Sequence, residues 1–180
     1  MKNNANEIQD FYLSPLTLFK DDRGELMELF NINRQPEFQL AQLNYVHSLT
    51  NTLRGMHLHA THSDYLCVLS GTMILALKDL RSNSSTFGVT ALHTLDSRNP
   101  QVALVPRGVA HGFYFPQNTM YCYGLSHPWD PAEKYGFRWN APDAGIKWPM
   151  KAPIVSARDA QAGTVAELLQ LIKEDKISYD

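Results

Sequence analysis

Residues 53–66 read L-R-G-M-H-L-H-A-T-H-S-D-Y-L, placing His57, His59, His62 and Asp64 within eight positions. In an extended chain alternate side chains share a face, so His57 and His59 point together, with Met56 and Leu58 on the other side. Four residues separate His59 from Asp64, and an apolar run then leads to Ser70-Gly71. Further on, Pro106-Arg107-Gly108 marks a turn and His111 follows it. Imidazole and carboxylate at this spacing suit two chemistries, a divalent metal ion or a proton-transfer site. They also fit histidines that only satisfy hydrogen bonds inside a barrel.

Working outward, the chain is punctuated by turn signals: D-D-R-G (21–24), S-G (70–71), D-S-R-N-P (96–100), P-R-G (106–108) and P-Q-N (116–118). Between them lie extended candidates at Leu16–Phe19, Glu25–Phe30, Phe38–His47, Tyr65–Leu69, Thr72–Leu80, Val89–Leu95, Val102–Val105, Gly112–Phe115 and Met120–Ser126. Short strands at that spacing predict an all-β sandwich or barrel. One helix is expected, at about 164–174. Thr164-Val-Ala-Glu167 has the capping-box form, and Val165, Leu168, Leu169 and Ile172 repeat at helical spacing. Residues 128–153 hold five of the ten prolines and all three tryptophans, which predicts an irregular covering segment.

The 180 residues, 44% hydrophobic and 19% charged, suit a single domain spanning 1–180. A net charge of −2 gives no basic stripe for nucleic acid. No apolar run approaches the ~20 residues of a membrane span, and the first ten residues lack a signal-peptide core. Cys67 and Cys122 have no CxxC partner and are expected as buried thiols in a cytoplasmic protein.

The pattern H-x-H-x4-D, then Gly, then P-x-G-x-x-H resembles the two-part motif of cupins, a jelly-roll family with a double-sheet barrel. In metal-binding cupins the matching set would be His57, His59, Asp64 and His111. A longer resemblance runs from Asp22 to Asp159. D-R-G-E-L-M-E (22–28), Q-L-N (42–44), L-R-G-M-H (53–57), S-T-F-G (85–88), V-P-R-G-V-A-H-G-F (105–113), R-W-N-A-P-D-A-G-I-K-W-P (138–149) and S-A-R-D (156–159) occur in order. Together they are similar to the dTDP-4-dehydrorhamnose 3,5-epimerase family, itself cupin-shaped.

That resemblance implies an isomerase for nucleotide-linked 4-keto-6-deoxy sugars, with no metal or organic cofactor. It would serve the biosynthesis of a surface polysaccharide or glycoside. The 4-keto group acidifies C3–H and C5–H, and inversion needs a base on one face and an acid on the other. His57 matches the base, Asp159 its carboxylate partner, and Tyr123 the proton-donating tyrosine. Tyr121 lies on the same strand face, so the choice of Tyr123 rests on the match, and an ordinary core aromatic is the other reading. Arg54 and His111 match positions holding phosphates and sugar. Arg23 and Glu28 match residues near the nucleotide supplied by a neighbouring subunit. Gln42 and Asn44 match nucleotide contacts, Trp129 a base-stacking aromatic and Arg158 a further basic group. A homodimer with exchanged N-terminal strands is implied. Arg54 and His57 are three apart, so facing one cavity needs a bulge at Gly55.

Two positions depart from the family. Asp64 stands where members usually carry a lysine beside the C4 oxygen, and H57-L-H59 replaces the usual H-F-Q. His59 or His62 would then supply the donor that lysine gives elsewhere. The departures leave open one or two epimerised centres, a dTDP-, GDP- or CDP-linked hexose or heptose, and a related 3,4-ketoisomerase. A metal-dependent cupin enzyme and a non-catalytic sugar-binding cupin are the competing classes.

Overall fold

The computed structural model describes residues 8–179. Its strands are β1 (Tyr12–Pro15), β2 (Leu18–Asp21), β3 (Gly24–Met27), β4 (Gln42–Ser48), β5 (Thr52–His57), β6 (Asp64–Ser70), β7 (Thr72–Asp79), β8 (Thr90–Asp96), β9 (Gln101–Val105), β10 (Val109–Phe115) and β11 (Thr119–Leu125). Two helices follow, α1 (Ala157–Gln161) and α2 (Val165–Glu174). Antiparallel pairing assembles a five-stranded sheet in the order β1-β9-β6-β11-β4, a four-stranded sheet β5-β10-β7-β8 and a small β2-β3 hairpin. The two larger sheets face each other as a jelly-roll barrel, as the turn spacing predicts.

Strand alternation fills three layers. Leu66 and Val68 of β6, Met73, Leu75 and Leu77 of β7, and Phe115 and Tyr121 meet between the sheets. The opposite side of the four-stranded sheet presents Met56, Ala76, Leu80 and Ala110 to a second core. Helix α2 packs there through Val165, Leu168 and Ile172, while Phe137, Ala141 and Ala144 come from the covering segment. The α2 N-terminus is closed as the sequence predicts: Thr164 accepts from Glu167 N–H, and the Glu167 side chain accepts from Thr164 N–H. Residues 128–153 form neither helix nor regular strand. Their Phe137 exchanges two backbone hydrogen bonds with Met56, at 3.0 and 3.1 Å, which seals the outer edge of β5.

Three differences from the sequence reading have physical reasons. Strand β1 is a short edge strand containing Pro15, and β5 carries Arg54 and Gly55, so neither shows a strand-former run. Helix α1 is only five residues long and gives no periodicity. Residues 28–41 leave the ladder because Phe30, Phe38 and Leu40 turn onto the back of the five-stranded sheet around Tyr65. Hence β3 ends at Met27 and β4 begins at Gln42. Cys67 and Cys122 are buried and free.

Candidate active site

A cavity of about 530 Å³ opens between the two sheets. Arg54 and His57 of β5 and His111 of β10 line it from the four-stranded sheet. Asp64 of β6 and Tyr121 and Tyr123 of β11 line it from the five-stranded sheet. His59 and His62 come from the loop after β5, Trp129 and Glu133 from the covering segment, and Arg158 and Asp159 from α1.

The expected bulge is present in β5. His111 pairs with His57 and Phe113 with Arg54, so three steps along β5 match two along β10. The extra residue brings Arg54 and His57 to the same cavity. Only glycine suits position 55: its φ is +114°, and a Cβ would lie 2.7 Å from Gly112 Cα and 2.8 Å from the His111 carbonyl oxygen.

His57 Nε2 lies 2.8 Å from Asp159 Oδ1, and the second carboxylate oxygen accepts from Gly55 N–H at 3.3 Å. Asp159 is positioned by its own helix start, where Ser156 caps α1 and accepts from Asp159 N–H at 3.1 Å. The preceding segment is pinned beside β5 through Leu53 N–H to the Ile154 carbonyl, 2.8 Å. Burial opposes the Asp159 charge, yet the His57 and Gly55 bonds outweigh it and hold the carboxyl below its ordinary range. In the neutral tautomer that donates Nε2–H to an ionised Asp159, His57 Nδ1 carries a lone pair. The His57 side chain is 32% exposed, enough to meet a ligand.

Across the cavity stands Tyr123, half-buried, on the strand of the facing sheet. Burial, aided by the Asp64 charge, raises its pKa and keeps the phenol protonated. Tyr121 also reaches the cavity, but it is 2% exposed and stacks on Phe115 with centroids 5.4 Å apart. Arg54 Nε donates to Ser48 Oγ at 3.0 Å. Trp129 is 48% exposed at the cavity mouth. Its backbone N–H donates to Gln42 Oε1 at 3.0 Å, and Gln42 Nε2 donates to Asn44 Oδ1 at 3.0 Å. Gln42 and Asn44 are thus absent from the cavity lining and brace Trp129 from β4.

Arg23 sits at the tip of the β2–β3 hairpin, paired with Asp21 at 2.6 Å, and Glu28 pairs with Arg34 at 3.3 Å. Neither lines this cavity.

The metal set drawn from spacing, His57 with His59, Asp64 and His111, is not assembled, because β5 ends at His57 and that ring turns to Asp159. Among the described residues, the histidine and acid group whose donor atoms lie within 4.8 Å of one another is instead His59, His62 and Asp64. Asp64 also lies 2.6 Å from His111 Nε2. Burial opposes its charge, but the surrounding histidines, His111 first, leave its pKa lowered. His59 Nδ1 lies 2.6 Å from Glu133 Oε2, and Arg158 donates to the Glu133 carbonyl at 2.8 Å. Burial disfavours a charged His59, yet its Glu133 and Asp64 neighbours raise its pKa, while burial lowers that of His62. Glu133 is a site residue that sequence reasoning missed. It lies in the irregular segment, where no periodicity or motif distinguishes one acid from another.

With this geometry in view, the comparisons with known proteins are specific. The family model described as dTDP-4-dehydrorhamnose 3,5-epimerase matches residues 5–167. The chain belongs to that family. The dTDP-4-dehydrorhamnose 3,5-epimerase of Escherichia coli K12 is 30% identical over 179 residues, covering 92% of this chain and 95% of that one. The Legionella pneumophila enzyme, solved with dTDP-4-keto-L-rhamnose, is 26% identical with a TM-score of 0.86, covering 97% of this chain and 95% of that one. The Bacillus anthracis enzyme, solved with TDP and pyrophosphate, is 27% identical with a TM-score of 0.81, covering 88% and 99% respectively. The family match covers the segment that supplies His57, Tyr123 and Asp159. Among the described residues no helix is long and apolar enough to cross a membrane.

Proposed function

We propose that this epimerase uses His57, oriented by Asp159, to remove a proton next to the 4-keto group of a nucleotide-linked 6-deoxy sugar, and Tyr123 to return one from the opposite face. The activity itself follows from the family: an isomerase of nucleotide-diphospho-4-keto-6-deoxy sugars, inverting C3, C5 or both. One observation carries the assignment of roles. The His57–Asp159 pair belongs to the four-stranded-sheet wall and Tyr123 to the facing wall, with a 530 Å³ cavity between them.

A carboxylate behind the imidazole fixes its tautomer and stabilises the imidazolium formed on proton abstraction. A phenol kept protonated can complete the inversion that a base alone, acting on one face, cannot. Arg54 offers a permanently charged group for phosphate, and Trp129 an exposed ring for a nucleoside base. A dTDP-linked hexose is the first substrate in this reading, supported by the ligands of the two solved relatives. A biosynthetic role in surface polysaccharide or glycoside assembly accompanies it, and the free buried thiols support a cytoplasmic setting.

The test is incubation in deuterated water with dTDP-, GDP- and CDP-linked 4-keto-6-deoxy sugars, read by mass and NMR. Deuterium at C3, C5 or both, with inversion, is expected for at least the dTDP sugar. Neither exchange nor inversion with any of them contradicts the reading.

A homodimer is part of the proposal. Strand β4 is an open edge of its sheet, and Leu43 and Tyr45 on it are 60% and 64% exposed. Phe19 and Leu26 of the β2–β3 hairpin are 53% and 64% exposed. Apolar rows beside an unpaired edge ask for cover, and a partner's N-terminal strands would bring Arg23 and Glu28 toward the second cavity. Sedimentation equilibrium should return twice the chain mass, and a monomer would overturn the exchange.

A further inference from the structure

The wall of the cavity beside His57 holds buried polar atoms that lack a hydrogen-bond partner among the described residues. Asp64 is 3% exposed and His62 1%. Neither ring nitrogen of His62, nor Asp64 Oδ1, has a hydrogen-bond partner among the described residues, although His62 Nε2 stands 3.6 Å from that oxygen. His59 Nε2 stands 3.7 Å from Asp64 Oδ2, and its ring stacks on His62 with centroids 4.1 Å apart. The other nitrogen of His59, Nδ1, is held by Glu133 Oε2 at 2.6 Å. Glu133 is itself fixed by Ala60 N–H at 3.0 Å. His111 approaches the same Asp64 Oδ2 at 2.6 Å, with its Nδ1 3.2 Å from the Val109 carbonyl.

Each element of this arrangement has a purpose in a metal site. A ligating histidine gives its far nitrogen to a carboxylate or carbonyl, which orients the ring and raises its basicity, as Glu133 does for His59. Gaps of 3.6 and 3.7 Å between donor atoms are too long for hydrogen bonds. They leave room for an ion about 2 Å from each donor. A proton on His59 would answer its own contacts but would leave His62 with both nitrogens unpaired.

We propose that His59 Nε2, His62 Nε2 and the Asp64 carboxylate bind one divalent first-row transition ion, with Glu133 and His111 orienting the ligands. Two imidazoles and one carboxylate favour Zn²⁺, Fe²⁺ or Co²⁺ over Mg²⁺ or Ca²⁺, which take oxygen sets. His59, His62 and Asp64 line the same cavity as His57. There the ion can polarise an oxygen of the bound molecule, a role that rests on the epimerase reading, whereas the site does not. It departs from the metal-free chemistry that the family resemblance implies.

The test uses the metals alone. Chelator-stripped protein is titrated with Zn²⁺ by calorimetry and with Co²⁺ by visible absorption, and then assayed for deuterium exchange with and without metal. One equivalent bound, with the d–d bands of nitrogen and oxygen ligation, is expected. His62→Ala should abolish the bands, and Glu133→Gln should weaken binding roughly 10–100-fold. Circular dichroism checks that both variants fold, and the wild-type titration stands without them. Failure to bind either ion overturns the site, whether or not exchange occurs. Binding without any effect of metal on exchange keeps the site and overturns its polarising role. Binding by a protein that exchanges nothing keeps the site and overturns the epimerase roles instead.

Discussion

Asp159 shows how one side chain can serve both fold and chemistry. Its carboxylate joins β5 to α1 through Gly55 N–H and orients the His57 ring. Replacing it with Asn keeps the shape but removes the charge that would support an imidazolium in the proposed mechanism. Asp159→Asn should therefore lower turnover about 10²–10⁴-fold while leaving substrate affinity near wild type, as steady-state kinetics would show. A loss confined to KM would contradict that role. The same variant should also reveal the carboxyl's lowered pKa. A depressed group contributes stability that is full above the ordinary carboxyl range and is lost as pH falls through that range to the folded value. Thermal melts of wild type and Asp159→Asn should thus differ at pH 7, begin to approach each other as pH falls below about 4, and converge below the lowered folded value. At this scale the resemblance singled out His57, Asp159 and Tyr123, and the structure brings all three to one cavity. The sequence was silent about Glu133 and the pairing of His59, because those contacts join segments about 70 residues apart in an irregular loop. Gln42 and Asn44 were found as a pair, but their placement behind Trp129 depends on how that loop returns to β4.

The bulged strand β5 is the element on which the site depends. Without its extra residue, Arg54 and His57 would face opposite sides of the sheet. Gly55 permits the bulge by adopting φ +114° and by letting Gly112 approach. Gly55→Ala forces a Cβ into backbone, and its strained φ alone costs about 1–3 kcal/mol. It should lower the melting temperature and reduce exchange by removing His57 from Asp159. Wild-type stability and activity in Gly55→Ala would contradict this view of the strand. Three-residue spacing and a glycine were enough to pose the bulge from sequence. The existence of β5 as a ladder strand was not, since an arginine and a glycine dilute its strand propensity and its outer partner is the irregular 135–137 segment. The α2 cap shows the opposite case. Every determinant lies within four residues of sequence, so Thr164 and Glu167 were readable directly.

At the scale of the whole molecule, the proposed mechanism assigns one face of the sugar to each sheet. Jelly-roll connectivity carries β5 and β11 to facing walls, so His57 and Tyr123, 66 positions apart, line one cavity from opposite sheets, the arrangement that the proposed base and acid need. The two-sheet class was legible because turns recur at strand-length intervals. Which residues oppose across the cavity was not, because strand spacing alone says nothing about order in the sheets. Opposition predicts a separation of steps that an enzyme with both groups on one wall would not show. The decisive measurement is Tyr123→Phe in deuterated water with a dTDP-linked 4-keto-6-deoxy sugar, following deuterium uptake and configuration together. With the phenol gone, His57 should still remove the proton and return a deuteron to the same face, so exchange persists while inversion at the Tyr123-served centre falls by about 10²-fold or more. Inversion at the wild-type rate, or exchange and inversion lost in equal measure, would contradict the account.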